Sequence, residues 1–202
     1  FLTRNYPGIP VLGEEGTTGD IQEEYRWVID PIDGTVNFTH GIPHACISIA
    51  LQGRINTGVD SGPFSAVFPD GYETLLGVVY DPFCDEMWTA VRGLPARMNG
   101  RKIAVSQRKK LNESIVSMGF AKYDTTLAQM MPVFVNLVPK VRKIRIMGAA
   151  AISLVWVGGG RLDAYKEAGV RIWDIAAGGL IVACAGGEFW HRAVGDPAEH
   201  MY

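Results

Sequence analysis

One segment of the sequence decides the fold: Trp27-Val28-Ile29-Asp30-Pro31-Ile32-Asp33-Gly34-Thr35-Val36-Asn37-Phe38. An apolar run that is typical of a buried strand ends at Asp30, and a second carboxylate follows three residues later at Asp33. Pro31 fixes one backbone angle between them and has no N–H to donate, while Gly34 allows a sharp bend. We therefore expect a rigid corner that points both carboxylates and the backbone carbonyl of Ile32 at one point, as in proteins that hold Mg²⁺. An ordinary Asp-Gly turn after a strand is the alternative.

Five further stretches of the chain extend this pattern. They are Gly13-Glu14-Glu15, Leu76-Gly77-Val78-Val79-Tyr80-Asp81-Pro82, Asn99-Gly100-Arg101-Lys102-Ile103, Gly148-Ala149-Ala150-Ala151 and Trp173-Asp174-Ile175-Ala176-Ala177-Gly178. In this order the stretches resemble the motifs of the inositol monophosphatase family of Mg²⁺-dependent phosphatases. The resemblance runs through nearly all of residues 9–188. The motifs D-P-I-D-G-T and W-D-x-A-A-G are highly specific together, whereas G-E-E alone would be weak.

The resemblance implies an α/β (α+β) layered sandwich of the inositol monophosphatase and fructose-1,6-bisphosphatase type. Residues 1–202 are expected to form a single catalytic domain. Its first lobe, residues 1–106, would bind metal and carry an insertion at 53–74, and its second, residues 107–202, would be an α/β lobe. Since the chain begins at Phe1 and stops at Tyr202, the two N-terminal helices and the C-terminal end of the family's fold are expected to be missing.

Apolar runs and turn residues predict the elements. In the first lobe we expect strands of a mostly antiparallel sheet at 25–29, 45–52, 75–80, 86–91 and 102–105. In the second lobe we expect strands at 114–120, 142–147 and 161–165, and helices at 127–138, 149–157 and 174–185, the last of them buried. Residues 53–74 are rich in Gly, Pro, Asp and Ser, so we predict a mobile loop that the chemistry does not need. The alternative is that Phe64, Val67 and Phe68 dock on the body of the protein or on a partner subunit.

The resemblance also implies a set of metal ligands: the carboxylates of Glu14, Asp30, Asp33 and Asp174 and the backbone carbonyl of Ile32. Four carboxylates in one site would raise each other's pKa, and bound cations would remove that penalty. Mg²⁺ is the expected cofactor, as two or three ions, because it prefers hard oxygen ligands. The side chain of Ile32 is expected in the core. Asp174 is expected to begin a helix, capping its N-terminus as well as binding metal.

Catalytic and substrate-binding roles follow from the same resemblance. Thr35 would orient the attacking water while Glu14 polarises it, with Asp33 as the third catalytic residue. Helix N-termini with small residues form anion sites, although close helix packing is an alternative for the glycine–alanine run. Glu167 would accept hydrogen bonds from substrate hydroxyls, unless it is simply a surface glutamate. The full set of predicted substrate contacts is Asp33, Gly34, Thr35, Gly148, Ala149, Ala150, Glu167 and Asp174.

The implied function is hydrolysis of inositol monophosphate, or of a similar small polyol phosphate, by direct attack of a metal-activated water. A lithium-sensitive, cytoplasmic homodimer is expected. Alternative substrates are histidinol phosphate, 3′-phosphoadenosine 5′-phosphate and fructose 1,6-bisphosphate, and for a bisphosphate Arg171 could supply a cation. Two further alternatives are a non-catalytic family member that acts as a binding protein and a structural module that binds Ca²⁺.

Composition argues against other classes of protein. The 19 basic and 21 acidic residues nearly balance, and the absence of a basic run argues against nucleic-acid binding. No stretch approaches the about 20 apolar residues of a membrane span. The three cysteines and four histidines lack zinc-site spacing: Cys46, Cys84, Cys184, His40, His44, His191 and His200. We expect free, mostly buried thiols in a reducing compartment, and a structural or substrate-rim role for His40 and His44.

Overall fold

The computed structural model describes residues 1–55, 67–121, 124–194 and 199–202. The elements of the first half are α1 (Leu2–Asn5), β1 (Val11–Gly13), β2 (Gly16–Thr18), β3 (Tyr25–Asp33), α2 (Thr35–Thr39), β4 (Cys46–Arg54), β5 (Tyr72–Asp81), β6 (Glu86–Val91), β7 (Arg97–Met98) and β8 (Arg101–Lys102). After a 3₁₀ turn (Leu111–Glu113), the second half contains β9 (Ile115–Met118), α3 (Asp124–Leu137), β10 (Lys143–Arg145), α4 (Ala150–Gly158), β11 (Ala164–Lys166) and α5 (Ile172–Cys184). Eight strands form one sheet and three form another.

The large sheet is mostly antiparallel, as the sequence predicts. Its strand order is β2-β1-β3-β4-β5-β6-β7-β8. Only β1 and β3 run parallel among its neighbouring pairs in the described ranges. The small sheet has the order β10-β9-β11 and is parallel throughout.

A bulge near the end of β3 shapes the corner expected from the sequence. Asp30 lies opposite Ser48 of β4, and Asp33 lies opposite Cys46, so three steps along β3 match two steps along β4. Pro31 falls inside this irregularity, where its missing N–H breaks no ladder hydrogen bond. Gly34 follows with a φ of 87° and is the N-cap residue of α2. The bulge therefore turns the chain out of the sheet directly after Asp33.

Helix α5 lies against the large sheet, and α4 packs on α5. The helix is apolar on most faces and its residues from Ile175 to Val182 are buried. Gly77 of β5 permits the close approach, because an ideal Cβ there would lie 2.8 Å from the carbonyl oxygen of Ala177. On another face of α5, a Cβ on Gly178 would lie 2.7 Å from Leu154 of α4. Small residues thus let α5 sit between the sheet and α4, which fixes the position of its first turn.

Two predictions about the first lobe are wrong. Strand β4 extends to Arg54 and β5 starts at Tyr72, so both ends of the predicted loop 53–74 are strand. Phe68 is 2% exposed and belongs to the main core, which agrees with the alternative that this segment docks on the body. Residues 56–66, including Phe64, lie outside the described residues. The strand predicted at 102–105 ends at Lys102.

Ile32 is half-buried and lies outside the core clusters, contrary to the prediction. It falls within the bulge between Asp30 and Asp33, where the regular alternation of strand faces is interrupted. None of the helices in the described ranges is both long enough and apolar enough to span a lipid bilayer.

Candidate active site

Three aspartates meet where the corner after β3 faces the first turn of α5. One carboxylate oxygen from each of Asp30, Asp33 and Asp174 lies within 4.8 Å of the others. Asp30 is 2% exposed and Asp33 is 6% exposed, so water screens their charges poorly. The structure thus brings together three of the four carboxylates predicted to bind metal, from positions up to 144 residues apart (174 − 30).

Backbone N–H groups hold each of these carboxylates in place. Asp30 Oδ1 accepts from the N–H of Ile32 at 2.9 Å. The two oxygens of Asp33 accept from the first residues of α4, Ala150 (3.2 Å) and Ala151 (2.7 Å). A carboxylate at that position also meets the positive end of the helix dipole. The N–H of Ala150, predicted to bind phosphate, is therefore already engaged by Asp33.

Asp174 is placed differently from the prediction. Helix α5 begins at Ile172, so Asp174 is its third residue and not its first. Its Oδ2 accepts from the backbone N–H of Arg171 at 2.7 Å, in a capping-box arrangement. The predicted combination of capping and metal binding is geometrically possible, because this leaves lone pairs on the carboxylate that face the other two aspartates.

Burial and mutual repulsion make it unfavourable for all three aspartates to be ionised without a bound cation. Burial, followed by the charges of Asp174 and Glu14, raises the pKa of Asp30 to about 8. Burial and the charge of Asp30 raise the pKa of Asp33 to about 7. Burial and the charge of Asp33 raise the pKa of Asp174 to about 7. An all-oxygen site whose negative charges are this unfavourable fits a hard divalent cation.

A pocket of about 190 Å³ opens onto this cluster. It is lined by every residue predicted for the site and by one more, Val170: Glu14, Asp30, Ile32, Asp33, Gly34, Thr35, Gly148, Ala149, Ala150, Glu167, Val170 and Asp174. Glu14 is exposed, on the turn after β1. The spatial convergence of the predicted residues is thus a finding, and what each of them binds stays a prediction.

Thr35 is the first residue of α2 and is exposed. The Oγ1–H donates to the carbonyl oxygen of Ile32 at 2.8 Å. Because its only proton is used there, the hydroxyl oxygen is free to accept a hydrogen bond from a water molecule. This geometry suits the water-orienting role expected of Thr35.

Glu167 is held in the pocket by two contacts that were not predicted from the sequence. The hydroxyl of Tyr165 donates to Glu167 Oε2 at 2.5 Å. Glu167 lies directly over Gly119, where an ideal Cβ would come within 1.7 Å of the same oxygen. Burial raises the pKa of Glu167. Gly119 directly follows β9, whereas the strand predicted at 114–120 included it, so its role was not predicted.

Several other candidates lie outside this pocket. The guanidinium of Arg171 donates to the backbone carbonyl of Glu199 at 2.6 Å, and Arg171 does not line the pocket. His44 contacts the indole of Trp156 edge-on at 5.4 Å, and His40 is exposed. Neither histidine lines the pocket.

The cysteines are free thiols, as predicted, but their burial differs from the prediction. Cys46 is buried, Cys184 is half-buried and Cys84 is exposed on the turn after β5, so "mostly buried" is wrong. The thiol of Cys46 donates to Asp33 Oδ2 at 3.6 Å. That contact places one cysteine directly behind the aspartate cluster.

A larger cavity of about 650 Å³ adjoins the pocket and shares Glu167 and Val170 with it. None of the three clustered aspartates lines it. The chemistry of the side chains, and not the size of the cavity, therefore marks the candidate site.

Comparisons with known proteins agree with this arrangement. A model of the inositol monophosphatase family matches residues 2–62 and 66–199. The chain is 42% identical over 189 residues to the Nus factor SuhB of Xylella fastidiosa, covering 92% of this chain and 62% of that protein. It is 37% identical over 194 residues to inositol monophosphatase 1 of Solanum lycopersicum, covering 92% of this chain and 64% of that protein.

A solved structure confirms the fold class. The extragenic suppressor protein suhB from Bartonella henselae aligns with a TM-score of 0.79 at 34% identity, covering 92% of this chain and 65% of that one. The predicted layered α/β sandwich is therefore confirmed. The chain spans less than two thirds of the length of these relatives.

Proposed function

The chain belongs to the inositol monophosphatase family, and on that premise we propose that it is a Mg²⁺-dependent phosphomonoesterase acting on inositol monophosphate or a similar small polyol phosphate. The observation that carries the proposal is the buried cluster of Asp30, Asp33 and Asp174 at the end of a pocket lined by small residues and Glu167. An all-oxygen donor set and three carboxylates with raised pKa values fit Mg²⁺.

The residues that would hold two or three Mg²⁺ ions are Glu14, Asp30, Asp33, Asp174 and the Ile32 carbonyl. When bound, such ions supply a water of lowered pKa and stabilise the charge of the leaving alkoxide. The hydroxyl oxygen of Thr35 would accept a hydrogen bond from the attacking water, and the carboxylate of Glu14, which lines the same pocket, would take up a proton from it. The water oxygen would bond to phosphorus as the ester P–O bond breaks, and the proton taken up by Glu14 would pass to the leaving alkoxide. Inorganic phosphate and the alcohol are then the products, and no covalent enzyme intermediate is needed.

Phosphate oxygens are expected near the start of α4, where Gly148 and Ala149 line the pocket. The N–H groups of Ala150 and Ala151 bind Asp33, so their contribution to phosphate is indirect: they hold the carboxylate. In this proposal Ala150 acts through Asp33, and direct binding of phosphate by the N–H of Ala150 stays a prediction of the family resemblance.

The substrate class follows from Glu167 and from the size of the pocket. A fixed carboxylate accepts hydrogen bonds from vicinal hydroxyls, and a pocket of about 190 Å³ suits a small ester. Arg171 is engaged elsewhere, which favours a monophosphate over a bisphosphate. Lithium sensitivity, a homodimer and a cytoplasmic location are part of the same proposal and are supported by the family resemblance.

A second candidate function is binding without hydrolysis. It is favoured by relatives that carry the name Nus factor SuhB, one of them at 42% identity. In that case the fold would serve recognition of a partner, and the aspartate cluster would be structural.

Turnover of a panel of phosphate esters decides between the two. We expect Mg²⁺-dependent release of phosphate, with a higher kcat/KM for inositol 1-phosphate than for histidinol phosphate, fructose 1,6-bisphosphate or 3′-phosphoadenosine 5′-phosphate. Asp33→Asn should lower activity by at least about 100-fold, because it removes a charged ligand for the cation. Asp85→Asn, at an exposed aspartate, is the matched control and should leave activity unchanged. If no ester is hydrolysed with Mg²⁺, the binding function is favoured instead.

A further inference from the structure

Asn37 connects the loop after α2 to the loop before α4, although it does not itself line the pocket. Asn37 lies on α2, just beyond Gly34 and Thr35, and is half-buried. Its Nδ2 donates two hydrogen bonds, to the carbonyl oxygen of His44 at 2.9 Å and to that of Met147 at 2.8 Å. The second bond spans 110 residues and ends on the residue directly before Gly148. Both amide protons are thus committed to backbone acceptors on two different loops.

The packing around Asn37 shows that this joint is tight. An ideal Cβ on Gly148, whose φ is +73°, would lie 3.3 Å from Asn37 Nδ2. A Cβ on Gly34 would lie 2.9 Å from the His44 carbonyl oxygen and 3.1 Å from the Cβ of Ala149. The acidic corner, the loop after α2 and the start of α4 therefore meet at one point, with Asn37 bonded to two of them.

Two independent ties connect α4 to the corner. The first is Asp33, which accepts from Ala150 and Ala151. The carboxylate of Asp33 also faces the other aspartates, so any cation there competes for its oxygens. The second tie, from Asn37 to Met147, uses no group of the cluster. It can therefore hold Gly148 and Ala149 at a fixed distance from the corner whatever Asp33 binds.

We propose that Asn37 is a positioning residue that sets the spacing between the aspartate cluster and the phosphate-binding start of α4. The inference rests on the proposed function, because it assumes that phosphate oxygens lie between those two elements. Removing the tie should loosen the phosphate side of the pocket while leaving the cation side intact. The expected signature is a rise in KM and in the dissociation constant of inorganic phosphate, with little change in Mg²⁺ affinity.

Two variants separate the hydrogen bonds from the packing. Asn37→Ala removes the side chain, and Asn37→Asp keeps its shape but places a charged acceptor opposite two carbonyl oxygens. The matched control is Thr39→Ala on the same short helix, since Thr39 donates only to Thr35 and Val36 within that helix. Calorimetry would measure Mg²⁺ binding without phosphate and then inorganic phosphate binding at saturating Mg²⁺. Steady-state kinetics on inositol 1-phosphate would give KM and kcat.

Both Asn37 variants should weaken phosphate binding and raise KM by about tenfold or more, with the Mg²⁺ dissociation constant within about twofold of the wild type. Thr39→Ala should change neither. If the wild type binds phosphate but hydrolyses no ester, the proposed function fails while the binding data still test Asn37. The inference is overturned if the wild type binds no phosphate, if both variants keep normal phosphate affinity, if Mg²⁺ affinity falls in parallel, or if both variants fail to fold.

Discussion

Glu167 takes its place in the pocket because residue 119 has no side chain. Its carboxylate occupies the space that a Cβ on Gly119 would fill, and the hydroxyl of Tyr165 fixes one of its oxygens. The other oxygen remains for a ligand, since a carboxylate has acceptor sites to spare. Such a preorganised acceptor favours substrates that carry hydroxyl donors near the phosphate.

Glu167→Gln should change substrate choice more than chemistry. The substitution keeps the shape but removes the charge, and hydrogen bonds to charged groups contribute about 1.5–3 kcal/mol. We expect kcat/KM for inositol 1-phosphate to fall about tenfold to a hundredfold, while a simple aryl phosphate without the diol is nearly unaffected. Glu23→Gln, at an exposed glutamate that lines neither the pocket nor the larger cavity, is the control. An equal loss on both substrates would show that Glu167 serves the aspartate cluster or the fold.

The sequence predicted the site residues that motifs contain and missed those that only contacts reveal. Asp30, Asp33 and Asp174 stand in short local patterns, so their residue types and spacing carried the prediction. Tyr165 and Gly119 act through Glu167, across two neighbouring strands of the small sheet. Asn37 lay within the deciding segment, but its partner Met147 is 110 residues away. No local pattern encodes such a partner.

At the scale of elements, Phe68 shows why composition misled the prediction of the 53–74 loop. The segment is rich in turn-forming residues, which are typical of loops. Yet Phe68 stacks on His191 with ring centroids 4.2 Å apart and meets Tyr202 edge-on at 5.4 Å. A single aromatic side chain can anchor a segment that is rich in turn-forming residues, and a windowed composition averages that signal away.

Phe68→Ala should destabilise the protein by about 3–5 kcal/mol, the usual cost of truncating a fully buried phenylalanine. Phe83→Ala is the matched control, because Phe83 is 45% exposed. That control should change the free energy of unfolding by about 0.5 kcal/mol or less. Urea denaturation of both variants measures the difference. If Phe68→Ala changed the free energy of unfolding as little as Phe83→Ala does, the original prediction of a loop at 53–74 that does not stabilise the protein would be supported.

The missing strand at 103–105 has a different cause. The N–H of Ile103 still bonds to the carbonyl of Ala96, one step beyond the Arg97–Lys102 pair of β7 and β8. The N–H of Val105 bonds instead to the carbonyl of Ala185, just after α5. After Ile103 the segment leaves the sheet for the end of α5, and Ile103 and Val105 pack against the core beyond the end of the assigned strand. Alternation reports which side chains are buried, and the hydrogen-bond partner decides whether a strand forms.

At the scale of the whole molecule, the aspartate cluster links folding stability to pH. The folded-state pKa values of Asp30 (about 8), Asp33 (about 7) and Asp174 (about 7) lie above the unfolded value of about 3.9. The folded protein therefore holds more protons than the unfolded chain between these limits, and its free energy of unfolding falls as pH rises through them. Burial lowers the pKa of His44, His191 and His200, so these residues have the opposite effect below their unfolded pKa of about 6.5.

Above a pH of about 6.5 the three aspartates should therefore determine how the free energy of unfolding changes with pH. We expect the free energy of unfolding of the metal-free protein to decrease between a pH of about 6.5 and about 8.5. Asp30→Asn should flatten this dependence, because the asparagine does not titrate. The slope from urea denaturation at a series of pH values is the quantity to measure. A free energy of unfolding that increases with pH in this window would contradict the assignment of raised pKa values.

Adding Mg²⁺ to the same denaturation series is the most direct test that Asp30, Asp33 and Asp174 hold a divalent cation. A cation that binds the ionised carboxylates of the folded state should restore the stability lost at a pH of about 8.5, by about 2.7 kcal/mol once Mg²⁺ reaches about 100 times its dissociation constant. Asp33→Asn should lose most of this gain, while Asp85→Asn should keep it. An unfolding free energy that is the same with and without millimolar Mg²⁺ in the wild type would contradict the metal site and, with it, the proposed phosphatase.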